Sequence, residues 1–203
     1  MRIKHLIAAL ATAALTLVGT SATAHEVTYI TTLSNVGEPA PANLSLGTGT
    51  ATVLFNDESF TMRVQVAFSG LTGNVTASHI HCCTTVAGTG NAGVATPTPT
   101  FPGFPLGATF GTYDQLFDMA LASSYNAAFI TANGGTVNSA FAALSTGLAA
   151  GKTYLNIHSS FVPGGEIRGF LVAAPVPEPA EYAMLLAGLA LIGAVARRRK
   201  MAA

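Results

Sequence analysis

Charge is scarce in this chain: only 9% of its 203 residues are Asp, Glu, Lys or Arg, and tryptophan is absent altogether. The scarcity is uneven. Arg2, Lys4, Arg197, Arg198, Arg199 and Lys200 lie at the two ends, so residues 25–174 keep three basic residues (Arg63, Lys152 and Arg168) against seven acidic ones, a net charge of −4. A nucleic-acid surface needs a cationic footprint, and this stretch lacks one, so no nucleic-acid partner is expected. Two adjacent cysteines, Cys82 and Cys83, are too few for the disulfide framework of a small secreted scaffold. There is no G-x-S-x-G nucleophile elbow, and neither Asp114 nor Asp118 stands beside a candidate nucleophile. The two aspartates read as turn or strand ends, and the sequence reads as non-enzymatic. Gly88-Thr89-Gly90-Asn91-Ala92-Gly93 has dinucleotide-fingerprint spacing, but Pro97 and Pro99 follow where a helix must begin, which excludes that cofactor.

What is present is most orderly at the ends. Arg2 and Lys4 precede an apolar run, Leu6–Val18, of about 13 residues, and small residues then close on Ala22-Thr23-Ala24. The run falls short of the roughly 20 residues of a membrane span. With no polar face to make it an amphipathic helix, it reads as a secretory signal peptide. Signal peptidase is expected to cut between Ala24 and His25.

At the other end, prolines at 175, 177 and 179 fix φ and keep their neighbours extended. Tyr182 to Ala196 is then uniformly apolar, and the basic cluster follows at once. Fifteen residues of helix cover about 22 Å against a hydrocarbon core of about 30 Å. With Ala180 and Glu181 added and the arginines snorkelling, residues 180–196 are expected to form a marginal transmembrane helix, with the domain outside. Val176-Pro177-Glu178-Pro179, the short apolar helix and Arg197-Arg198-Arg199 together resemble the PEP-CTERM sorting signal. That resemblance implies an exosortase as partner, removal of the helix, and release toward the cell surface or extracellular matrix. A permanent single-span anchor is the alternative. The expected organisation is therefore a signal peptide (1–24), one β domain (25–174) and a sorting tail (175–203).

Within the domain, Phe60, Met62, Val64, Val66 and Phe68 alternate with Thr61, Arg63, Gln65, Ala67 and Ser69. A period of two with one apolar face predicts an antiparallel strand with one side on a core. Residues 27–33, 48–55, 76–82, 153–159 and 166–172 are further expected strands, 56–58 a hairpin turn, and 97–107 a proline-rich loop. Residues 124–132 and 137–149 read as helices ending at glycines. The expected fold is mostly all-β: an antiparallel β-sandwich or Greek-key barrel, with one or two short helices in a long insertion and the C-terminal transmembrane helix.

Several segments occur in a telling order: Thr50-Ala51-Thr52-Val53-Leu54, Phe68-Ser69-Gly70-Leu71, His79-Ile80-His81, Tyr154-Leu155-Asn156-Ile157-His158, and Gly164-Gly165-Glu166-Ile167-Arg168-Gly169-Phe170-Leu171. Together they resemble the CHRD domain, the module named from chordin and common in bacterial exported proteins. The resemblance implies no particular activity. Where the usual pattern continues past the second histidine with small residues, this chain has Cys82-Cys83.

Strand alternation places His79, His81 and Cys83 on one face, with Ile80 and Cys82 on the other. Leu155 and Ile157 are assigned to the core, which turns Asn156 and His158 the opposite way. His79, His81 and His158, with Cys83, are therefore candidate ligands for zinc or copper. Histidines that merely hydrogen-bond loop backbone and order the strand ends are the plainer alternative. The His-x-His strand is locally similar to that of copper–zinc superoxide dismutase, whose paired-metal site needs more histidines than this domain has. Cys82 and Cys83 leave three choices: a strained ring between neighbours, thiols on a metal, or bonds to another molecule. Two functional classes follow. One is a non-enzymatic surface or matrix module with an unidentified partner; the other is a metal-binding or redox-related extracytoplasmic protein.

Overall fold

A computed structural model describes residues 26–38, 44–175 and 179–201. The candidate cleavage site at Ala24 and His25, and the motif residues Val176, Pro177 and Glu178, lie outside the described residues. The chain divides into a domain, residues 24–175, and a second unit comprising 1–23 and 176–203.

The alternating stretch of the sequence is the middle of a five-stranded sheet. β1 (Glu26–Leu33), β2 (Thr48–Asn56) and β3 (Thr61–Ser69) are antiparallel neighbours, with Val53 opposite Val64 and Ala51 opposite Val66. Met62, Val64, Val66 and Phe68 are buried while Arg63 and Ala67 are exposed, as the period of two requires. Phe60 departs from the series. It sits in the turn at φ 52°, is 38% exposed, and lays its ring against Phe141 instead.

β4 (Val75–Cys82) leaves this sheet and opens a second one. β5 (Gly111–Asp118) then returns to pair with β3, a strand absent from the sequence expectation. Its signal is weak because only Tyr113 and Phe117 point inward, with Asp114, Gln115 and Leu116 exposed between them. Asp114 consequently lies within a strand rather than at its end, and holds Arg63 through two 2.7 Å hydrogen bonds. Asp118 does close β5.

Helix α1 (Ala127–Ala132) is shorter than expected, because Asn126 caps it by accepting from the Ala128 N–H. α2 (Val137–Ala149) begins with a reciprocal capping box between Thr136 and Ser139. It buries Phe141 against Phe55, with ring centroids 4.8 Å apart. β6 (Thr153–Ser159) pairs with β4, and β7 (Ile167–Phe170) with β6. The expected last strand is divided in two. After β7 the chain passes through buried Leu171 and joins the first sheet as β8 (Val172–Ala173), beside β1.

The sheet orders are β5-β3-β2-β1-β8 and β4-β6-β7, and neither sheet closes, so the barrel alternative is not realised. Both sheets feed one buried cluster: Leu33, Val53 and Val64 from the first, Ile80, Leu155 and Ile157 from the second, and Leu144 and Leu148 from α2. The proline-rich loop adds Phe101, fully buried, and Phe104.

In the second unit, α3 runs over Pro179–Met201. No helix among the described residues is long and apolar enough to cross a membrane, which corrects the expected transmembrane segment at 180–196. The helix has enough residues, but Arg197–Lys200 occupy its last turns and leave an apolar stretch too short for the hydrocarbon core.

A histidine cluster on a covered sheet face

The register of β4 against β6 places Ala77 opposite His158, His79 opposite Asn156, and His81 opposite Tyr154. These residues share one face of the second sheet, and one nitrogen from each of His79, His81 and His158 lies within 4.8 Å of the others. The expected convergence of the three histidines is therefore what the fold produces. The face itself differs from expectation, because His79 and His81 are only 6% and 8% exposed. It is the face away from the core, yet it is covered. Residues 93–96 run along the free edge of β4, with Cys82 donating to the Gly93 carbonyl and Ala95 to the Ile80 carbonyl, and this loop brings other carbonyls over the imidazoles.

Each ring meets a backbone carbonyl, two from this loop and one from the turn between β6 and β7. His79 Nε2 is 2.6 Å from the Pro99 oxygen, His81 Nδ1 is 2.9 Å from that of Ala92, and His158 Nδ1 is 2.8 Å from that of Pro163. A carbonyl oxygen only accepts, so each of these nitrogens carries the ring hydrogen. In a neutral imidazole the other nitrogen then presents a lone pair. Those nitrogens are His79 Nδ1, His81 Nε2 and His158 Nε2, and the first and third face each other at 3.3 Å. Two lone pairs at that distance repel unless a proton or a cation lies between them. About 3.3 Å is also the separation of two nitrogens bound at 2.0–2.1 Å around a tetrahedral ion. A ring that donates its spare N–H to a backbone carbonyl is the usual way a metal-ligating histidine is oriented.

The surroundings favour the neutral form of His79 and His81. Burial pushes His79 down to about 4, with the nearby His158 and His81 adding to the effect against the Pro99 carbonyl. Burial lowers His81 as well, only partly offset by the Ala92 carbonyl. Tyr154 stacks on the His81 ring at 4.7 Å, nearly parallel, and the Arg168 guanidinium lies 4.5 Å above the other aromatic neighbour in this stack, the Tyr154 ring. The Asn156 side-chain amide stands 3.1 Å from His81 Nε2, and with its NH2 turned to the ring it donates to that lone pair.

Arg168 is the support that motif reading missed. It is 4% exposed and reaches the Glu38 carboxylate at 2.7 Å, the Asn91 side chain and the Gly90 carbonyl. The glycine-rich run 88–93 thus provides the carbonyls that fasten Arg168 and His81. The only sequence signal for these partners was the Gly-Glu-Ile-Arg-Gly segment. Its Glu166 is fully buried: burial pushes its carboxyl up, but bonds from Ser159, Ser45 and the Thr72 and Gly73 N–H groups outweigh that and hold it below its usual value.

Cys83 does not join the histidines. It is bonded to Cys82, and the pair lies against α2, with both sulfurs directed toward the Ala143 carbonyl. Of the three choices open in the sequence, the bond between neighbours is the one formed, and the thiolate-ligand assignment of Cys83 is corrected. In the tail, Arg197, Arg198 and Arg199 lie in α3, whose helix starts at Pro179.

Comparison with known families agrees with this organisation. The CHRD domain model matches residues 23–171, and the PEP-CTERM protein-sorting motif matches residues 175–200. The chain belongs to the CHRD-domain family and carries a sorting tail of the kind processed by exosortase, which directs an exported protein to the cell envelope or surface. No curated protein and no solved structure matches it.

Proposed function

We propose that this CHRD-domain chain is an exported surface or matrix module whose domain holds one zinc or copper ion on His79, His81 and His158. The observation that carries the proposal is the proton inventory. Three rings each give one N–H to a backbone carbonyl, and the three remaining nitrogens gather within 4.8 Å. A set of strand-end histidines serving only as hydrogen-bonding groups accounts for the carbonyl contacts. For the 3.3 Å approach of His79 Nδ1 to His158 Nε2 it needs an extra proton held between the two rings, which the burial of His79 disfavours. Three imidazoles leave a further coordination position for water or a partner's side chain, which suits a module that binds another molecule through its metal. In this reading signal peptidase removes residues 1–24, and the tail serves as an address for exosortase rather than as part of the domain.

The test is elemental analysis of the chain exported by its own cell, with His79→Ala and His158→Ala prepared alongside. About one zinc or copper per chain is expected, falling at least tenfold in both variants. Substoichiometric metal in the wild type, or content unaffected by both substitutions, refutes the site.

A further inference from the structure

We propose that the Cys82–Cys83 disulfide is a thiol-exchange site: an incoming thiolate attacks Cys83 Sγ, and Cys82 Sγ leaves. The inference is independent of the metal reading and uses a different part of the domain. Its basis is an asymmetry between two sulfurs that are neighbours in sequence. Cys82 is 5% exposed and sits in the core cluster, whereas Cys83 is exposed. Cys83 lines two separate clefts. One is walled by Val94, Asn126, Phe129 and Asn133, the other by Ala143, Thr146 and Lys152. Cys82 touches the first cleft as well but not the second, so the exposed Cys83, open on both sides, is the readier target for an attacking sulfur.

The leaving sulfur is also provided for. The Thr153 hydroxyl donates to Cys82 Sγ at 3.4 Å, a bond that strengthens when the sulfur becomes an anion. Lys152, one of only three basic residues in the domain, stands on the second cleft beside Cys83 and favours the approach of an anionic thiol. Gly147 completes the arrangement, since a Cβ built on it would run into both sulfurs. Helix α2 thus lies directly on the bond and meets any change in the positions of the two sulfurs.

The step balances as follows. The thiolate R–S⁻ forms a bond to Cys83 Sγ while the Cys82–Cys83 bond breaks, and the electron pair of the broken bond remains on Cys82 Sγ, which solvent then protonates. With a monothiol the product is a mixed disulfide at Cys83. With a dithiol, its second sulfur attacks the first, so the reductant leaves as a cyclic disulfide and both cysteines become thiols. The reductant supplies two electrons, and the solvent supplies the protons.

The experiment treats the folded chain, without denaturant, with glutathione in one arm and dithiothreitol in the other. Free thiols are trapped by alkylation and located by peptide mass spectrometry. Glutathione is expected on Cys83 with alkylated Cys82, and dithiothreitol is expected to expose both thiols while the chain stays folded. Thr153→Val should slow glutathione addition about three- to tenfold, the size expected for losing one ordinary hydrogen bond to a sulfur that carries only part of its charge in the transition state. Thr153→Ser, which keeps the hydroxyl and guards against a packing effect, should restore the rate. Lys152→Ala should slow glutathione, whose thiolate form carries carboxylate charge as well, more than dithiothreitol, whose attacking form carries the thiolate charge alone. Adduct on Cys82, reduction only after unfolding, or equal rates for Thr153→Val and wild type would each overturn the assignment.

Discussion

The two sheets obey different rules. In the five-stranded sheet, β3 alternates between buried positions and half-buried or exposed ones, and its outer face meets solvent. In the three-stranded sheet, β6 is buried at six of its seven positions and β4 at six of eight, so both faces are enclosed. The charged residues record the same difference. Arg63 and Asp114, on the open face, are 50% and 45% exposed in their side chains, while Arg168 and Glu38, near the covered face, are 3% and 1% exposed. An open face tolerates any soluble side chain, because water completes its hydrogen bonds. A covered face favours a partner for each polar atom, and although Glu38 Oε1 and Arg168 Nε go without a hydrogen bond, that demand sets the orientation of each histidine.

The largest expected effect breaks the alternation of the open sheet. Val66 is 3% exposed and faces the core, whereas Ala67 beside it is exposed. Val66→Asp buries an unpaired carboxylate and is expected to unfold the domain, while Ala67→Asp should leave its urea midpoint nearly unchanged. Equal damage from both would mean that the outer face is not open.

The next test sets the two ion pairs against each other. Arg168→Met strands the Glu38 carboxylate in a buried site and should cost about 3–5 kcal/mol in denaturant unfolding. Adding Glu38→Leu should recover most of that loss, because no buried charge is then left alone. On the open face, Arg63→Met should leave the unfolding midpoint unmoved, although Arg63 and Gln65 hold Asp114 down at about 2. A matching loss in the two sheets would erase the distinction drawn between them.

The smallest effect belongs to the covered histidines in metal-free protein. His79 stays neutral down to about 4 in the fold, against 6.5 when unfolded, so between those values the unfolded chain binds more protons. The stabilisation this provides is complete above pH 6.5 and is lost as pH falls through 4. The thermal midpoint should therefore drop over that window, and His79→Gln should flatten the drop. A profile identical in wild type and variant would show that His79 is not protected from water.

Most strands were legible in the chain. The β3 alternation, the β2–β3 hairpin, β6 and α2 lie where periodicity and turn residues place them. β5 was not legible, since its two inward residues, Tyr113 and Phe117, are four apart, and its outward positions are ordinary exposed polar and apolar residues. The three histidines were assigned to a common face by spacing alone, and they share one. Their burial was not foreseeable, because it comes from residues 93–99 folding back along the edge of β4, a contact with no periodic signal. The role of Arg168 was hidden for the same reason: Glu38 and Asn91 are far from it in sequence.

By itself the amino-acid sequence determined the sorting tail, the strands with strict alternation and the residue types of the histidine cluster, because each rests on local pattern: charge, proline and period. Only the tertiary structure decided that the second face of the smaller sheet is closed, that each imidazole hands one hydrogen to a carbonyl, and that Cys83 pairs with Cys82 rather than joining the histidines. Those outcomes depend on which distant backbone groups arrive beside a side chain. A carbonyl looks the same in every residue, so its arrival leaves no mark in the sequence that supplies it.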